Sequence, residues 1–146
     1  MIVVKSPVVV ISIFVWLGFV CAISFMEAWL KFRAPGITLP LGLSIGRIVF
    51  SALNRVEWVL SIAIMINLLF FGDGFFRLKN VAYFIPLAIL VIQTLWLLPA
   101  LDARAQLYID GATVPPSKIH FYYVGMEVVK VLSLVIMGIS LFNRKV

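Results

Sequence analysis

The sequence predicts an all-α integral membrane bundle of four helices, with both termini on the same side of the membrane. Three observations predict it. The 146 residues are 64% hydrophobic and 12% charged, with a mean hydropathy of +1.16, whereas soluble domains run at about 25% charged and about 45–50% apolar. Four stretches, roughly 7–30, 46–71, 81–101 and 119–142, reach the length of about 20 apolar residues that a helix needs to cross a bilayer core. The breaks between them are rich in proline, glycine and charge. Alternating segments of about 10 residues, the signature of a membrane β-barrel, are absent.

The first span follows Lys5 and Pro7. Its apolar run is followed by SFMEAW rather than a small-x-small cleavage site, so it reads as a span and not a cleaved leader. It carries the single cysteine, Cys21, which excludes an intrachain disulfide and any CxxC site. APGITLPLGLSIG (34–46), with two prolines and three glycines, reads as a loop before the second span. FGDGFFRLKN (71–80) reads as a short charged turn. In the third span Pro86 lies close enough to the start to be tolerated, and Pro99 marks the expected far end. LDARAQLYIDGATVPPSK (101–118) is polar, and Pro115-Pro116 suits a helix start just beyond it. One domain, 1–146, is expected at this length.

Four spans leave both termini and the 71–80 turn on one face, here the terminal face, and the two longer connections on the other, the loop face. Lys5, Arg77, Lys79, Arg144 and Lys145 fall on the terminal face. Lys31, Arg33, Arg47, Arg104 and Lys118 fall on the loop face. The even split leaves orientation to Arg47: counted with the helix, it tips the expectation toward cytoplasmic termini, in a bacterial inner membrane. The net charge of +6 is assigned to lipid headgroups and topology, because no basic run or nucleic-acid motif accompanies it. The expected partner is the lipid bilayer, with a homo-oligomer or a larger membrane complex as the setting for so small an interior.

Polar residues collect in the loop-face half. Glu27 lies near that end of the first span, Arg47, Asn54 and Glu57 in that half of the second, Gln93 mid-way along the third and Asp102 at its end. His120, Tyr122, Tyr123, Glu127 and Lys130 occupy the first half of the fourth. At about 100° per residue, positions i, i+7 and i+10 share one stripe. Arg47, Asn54 and Glu57 have that spacing, with Ser61 continuing it, and so do His120, Glu127 and Lys130, with Tyr123 between them. Arg55 points away from this stripe and needs a different neighbour or the headgroups. Glu57 and Lys130 lie roughly 16 Å below the loop face at about 1.5 Å per residue. A lone charge there costs at least about 2.5–3.5 kcal/mol, so the two stripes should face each other, with Arg47 and Lys130 neutralising Glu57, Glu127 or Glu27. Glu127–Lys130 and Glu27–Lys31 are also pairs at helical spacing.

Asn54, Gln93 and Ser61 read first as interhelical glue, and Glu57, Glu127 and Lys130 as a working site. His120 reads equally as an interfacial histidine or a ligand. Trp29, Trp58, Trp96, Tyr122 and Tyr123 have a plain reading as belt aromatics. Glu27, Glu57, Asp102, His120 and Glu127 could converge on a metal, but one histidine and no ExxH pair argue against a di-iron site, and no metal is assigned. No cofactor is specified, and no Walker, Rossmann or G-x-S-x-G motif occurs. The halves 7–71 and 81–142 align RVEWVLSI with GMEVVKVL, placing Glu57 opposite Glu127, as a parallel duplication would.

SFMEAWLKF, GRIVFSALNRVEW, WLLPALDAR and KIHFYYVGMEVVK, spread over most of the chain, resemble small four-helix bacterial membrane proteins of unknown function related to a eukaryotic transmembrane protein associated with drug resistance. That resemblance implies the four-helix fold and no established activity; Glu57, Glu127 and Lys130 go beyond its pattern. Arg47-x6-Asn54-x2-Glu57 is similar to the helix-2 stripe of membrane-associated eicosanoid and glutathione enzymes, which implies trimers and bound glutathione. The arginine- and tyrosine-rich later helices of those enzymes have no counterpart here. The leading expectation is a polar cavity that binds or moves a small polar solute, ion or proton. The alternatives are a non-catalytic accessory subunit and, third, a glutathione-type enzyme.

Overall fold

The computed structural model describes residues 2–4, 6–71 and 81–144. The turn expected at 71–80 therefore lies, apart from Phe71, outside the described residues, as do Lys5, Arg77, Lys79 and Lys145. Four helices are long and apolar enough to cross a membrane: α1 (Pro7–Arg33), α2 (Leu39–Phe70), α3 (Ala82–Ile109) and α4 (Ile119–Ser140). They form a ring in which α1 packs on α2, α2 on α3, α3 on α4 and α4 back on α1. Two three-residue strands, β1 (Ile2–Val4) and β2 (Phe142–Arg144), pair antiparallel and bring both ends of the chain to one face. Otherwise the fold is all-α.

Local chemistry explains the helix limits. Pro7 and Pro40 both sit in first turns, where the missing N–H has no partner to lose. Ala34, held extended by the proline that follows it, ends α1. Thr38 caps α2 by accepting the N–H of Leu41 at 3.4 Å. The loop expected over 34–46 is therefore only 34–38, and α2 begins seven residues earlier than its apolar run. Gly42 and Gly46 are packing residues rather than turn residues. A Cβ on Gly42 would collide with the Phe32 ring, and one on Gly46 would stand 3.1 Å from Lys31 Nζ.

The third helix also runs further than expected, through Pro99 to Ile109. A wide π-helical turn over Gln93–Leu97, in which Leu98 N–H reaches Gln93 O, directly precedes Pro99 and re-phases the ladder where a proline would otherwise clash. The helix stops at Gly111, whose φ of +73° suits glycine, with Ala112 N–H closing on Leu107 O at 2.9 Å. A second wide turn, Cys21–Glu27, interrupts α1.

The terminal-face half is a dry core of Val9, Ile13, Val20, Ile64, Leu68, Leu90, Leu134 and Met137. Gly138 lets α4 approach α1, its Cβ position lying 3.3 Å from Ile13. Outward-facing positions are apolar too: Ile48, Leu95 and Phe121 are each more than 70% exposed. In water that surface would be untenable; in lipid it is the expected outside of an integral membrane protein.

Candidate functional site

The polar residues form four levels along the bundle axis. At mid-depth Lys130 on α4 is fully buried and meets three oxygens, donating to two of them and forming an ion pair with the third. It pairs with Glu57 Oε1, with Glu127 Oε1 at 2.8 Å and with Gln93 Oε1 at 2.7 Å. Gln93 Nε2 in turn donates to Glu127 Oε1 at 2.6 Å, and Trp16 Nε1 donates to Glu57 Oε1 at 2.8 Å. Each of the four helices contributes a group. Buried charge survives in a low-dielectric interior only when paired and hydrogen-bonded in this way.

One level toward the terminal face, the Ser61 and Tyr83 hydroxyls lie 2.7 Å apart, and Tyr83 also donates to Ser61 O. One level toward the loop face, Asn54 Nδ2 and Trp58 Nε1 both donate to Thr94 Oγ1 at 2.9 Å. Trp58 thus points inward rather than serving in the aromatic belt. Higher still, Arg47 forks onto both carboxylate oxygens of Asp102 and reaches Gln106 Oε1. Lys31 pairs with Glu27 at 3.1 Å and stands over the Phe32 and Phe50 rings.

The stripe on α2 is therefore real, with Asn54, Glu57 and Ser61 all buried. Its partners differ from those expected. The two stripes meet only where Glu57 reaches Lys130; Arg47, Asn54 and Ser61 turn to α3. Arg47 pairs with Asp102 and so does not neutralise the deep carboxylates, and Glu27 is neutralised by Lys31 rather than by Arg47 or Lys130. The pairs at helical spacing, Glu127–Lys130 and Glu27–Lys31, both form. His120 is exposed at the loop-face end of α4, edge-on to Phe121, whereas Tyr123 is buried against Phe50. Among the described residues no three His, Cys, Asp or Glu side chains converge as metal ligands.

Two cavities open above the deep cluster. The larger, about 560 Å³, lies between all four helices. Lys31, Arg47, Asn54, Thr94, Asp102 and His120 supply its polar wall, and Phe32, Leu43, Phe50 and Leu98 are among its apolar walls. The smaller, about 230 Å³, lies between α1 and α4 and shares Phe50, His120 and Tyr123 with the first. Glu127 lines the smaller cavity, and Glu57 lines neither.

Several of these groups carry no sequence signal. Trp16 lies in a helix apolar all round, and Thr94 enters the interior because the wide turn after Ile92 brings two consecutive residues, Gln93 and Thr94, inward. Asp102 was visible as a charge but not as the partner of Arg47. Comparison with family models, with characterised proteins and with solved structures returns no match.

Proposed function

We propose that this membrane protein binds a small solute with a polar end and an apolar body in the larger cavity, which the solute enters from the loop face. The observation that supports this reading is the cavity itself. Its volume of about 560 Å³ lies in the range of about 300–1,000 Å³ typical of small-molecule sites, and its mix of apolar walls with few polar groups is typical as well. Asn54 and Thr94 would meet the polar end at the cavity floor, and the Arg47–Asp102 fork would line the rim through which it passes. The apolar body would lie against Phe32, Phe50 and Leu98. The Glu57–Lys130–Glu127 cluster beneath the floor fixes the helices around it.

Native mass spectrometry from mild detergent, with bound species retained, tests this reading. Ser51 lines the cavity yet is exposed, so Ser51→Trp should fill the space while leaving the folded yield intact. Wild type should carry a stoichiometric small adduct that Ser51→Trp loses. Identical spectra for the two proteins would refute the reading.

A second reading, an accessory subunit of a larger membrane complex, has its own support in Arg55. That residue is exposed, sits about 3 Å along the axis from Glu57, and belongs to none of the ion pairs among the described residues. A partner helix carrying a carboxylate would accept it, and the same spectra would show that partner at fixed stoichiometry. A thiol-cofactor enzyme has less support, because Arg47 and Asn54 face the cavity but Glu57 does not.

A further inference from the structure

The deep cluster holds two carboxylates, Glu57 and Glu127, against one ammonium, Lys130. With all three ionised it carries one net negative charge near the middle of the membrane, where an uncompensated charge is expensive. The other cations near it are engaged elsewhere: Lys31 on α1 holds Glu27, Arg47 on α2 holds Asp102, and Arg55 lies on the outside of α2. Among the described residues, only the neutral Gln93 faces the cluster from α3, and from α4 Tyr123 and, at the rim, His120 complete its titratable surroundings.

The two oxygens of Glu127 are unequal. Oε1 accepts from Gln93 and is ion-paired with Lys130. Oε2 is buried and has no hydrogen-bond partner among the described residues, on a side chain only 1% exposed. Glu127 forms part of the wall of the 230 Å³ cavity, and so does Ser24, whose Oγ is likewise buried without a partner. Tyr123 is the polar neighbour of both, its hydroxyl interacting with Ser24 and with Glu127 without completing a well-formed hydrogen bond to Ser24 Oγ or Glu127 Oε2. Ser24 sits on the wide turn of α1, where Ala28 N–H reaches Ile23 O instead of Ser24 O. Wide turns of this kind concentrate at functional sites. A buried polar atom left without a partner costs free energy unless something occupies the space beside it.

We infer that Glu127 Oε2 is the seat of one exchangeable monovalent positive charge, a proton or a monovalent metal cation, that enters through the smaller cavity. A proton would bond directly to Oε2, leaving a neutral carboxyl that can donate toward Ser24 or Tyr123. A metal cation would take Oε2 with the two hydroxyl oxygens. Either one brings the cluster to zero net charge. The inference stands independently of what occupies the larger cavity.

Infrared difference spectroscopy on the full chain in lipid nanodiscs tests it. Spectra are recorded across a pH step and across a sodium-for-choline exchange at fixed pH. A carboxylic-acid C=O band that appears on acidification and is lost in Glu127→Gln identifies the proton. A carboxylate-band shift on adding sodium, lost in the same variant, identifies the metal cation. Glu57→Gln leaves a balanced Glu127–Lys130 pair and should also abolish the exchangeable charge, which a purely structural glutamate would not predict. Ser24→Val narrows the cavity and should slow the change without removing it. The inference is overturned if wild type and Glu127→Gln give the same difference spectra under both steps. Should Glu127→Gln not fold, retention of the full wild-type response in Glu57→Gln overturns it equally.

Discussion

Two clusters of ion-paired carboxylate and basic side chains sit at different levels of this bundle, and their surroundings could hardly differ more. Lys130, Glu57 and Glu127 have side chains no more than 2% exposed. Arg47 and Asp102 are 32% and 50% exposed, at the mouth of a cavity. Water at the mouth can solvate either partner if the other is lost; nothing in the core can. The deep cluster should therefore control whether the protein exists as a folded bundle, and the rim pair should control what happens at its opening. Substitutions that remove one charge at each level measure how far this division holds.

The largest effect is expected at Lys130. Lys130→Met leaves two carboxylates facing each other without a cation, and breaking a buried pair in this way costs about 3–5 kcal/mol. Unfolding in detergent should show a loss of that size, or the folded yield should collapse. Adding Glu57→Gln and Glu127→Gln to Lys130→Met removes the stranded charges, and most of the stability should return. If the triple variant is no better than the single one, lost packing and not stranded charge sets the stability, and the contrast between the levels dissolves.

Trp16→Phe comes next. It keeps the ring in the core but removes the N–H that Glu57 Oε1 accepts at 2.8 Å. A hydrogen bond to a charged group contributes about 1.5–3 kcal/mol, so the same unfolding measurement should register a clear but smaller loss. Thr94→Val should cost less again. It strands the Asn54 and Trp58 donors, and contacts of this kind within membranes contribute roughly 0.6–2 kcal/mol. A loss at Thr94 equal to that at Trp16 would mean that the middle level is as dry as the deep one.

The same division separates what the sequence reveals from what it hides. The four spans were legible because lipid demands long apolar helices. Glu57, Glu127 and Lys130 were legible because charge at that depth must be buried and paired. The i, i+7, i+10 stripe on α2 followed from helical geometry alone. The partners were not legible, since a stripe shows which way a side chain faces and not which helix stands opposite. Arg47 was expected on the deep carboxylates and instead pairs with Asp102, because α3 continues as helix past Pro99 and carries Asp102 up beside it. That continuation depends on the wide turn at Gln93–Leu97, which no propensity or period announces. The early start of α2 was hidden in the same way: Pro40, Gly42 and Gly46 look like loop residues until Phe32 and Lys31 are seen packed against them.

The smallest effect on stability is expected at the rim, and it is also the most discriminating. Arg47→Gln and Asp102→Asn, singly and together, form a double-mutant cycle that isolates the energy of the pair itself. Both partners can be re-solvated and salt screens exposed charges, so the coupling should lie near the resolution of an unfolding measurement and shrink further as salt is raised. Any small adduct bound in the cavity should respond differently, because the fork lies on the cavity wall. Arg47→Gln is expected to weaken retention of that adduct in native mass spectrometry while the unfolding midpoint barely moves. A large, salt-insensitive coupling would mean that the mouth is closed to water, and the loop face could then no longer be the route by which a solute reaches Asn54 and Thr94.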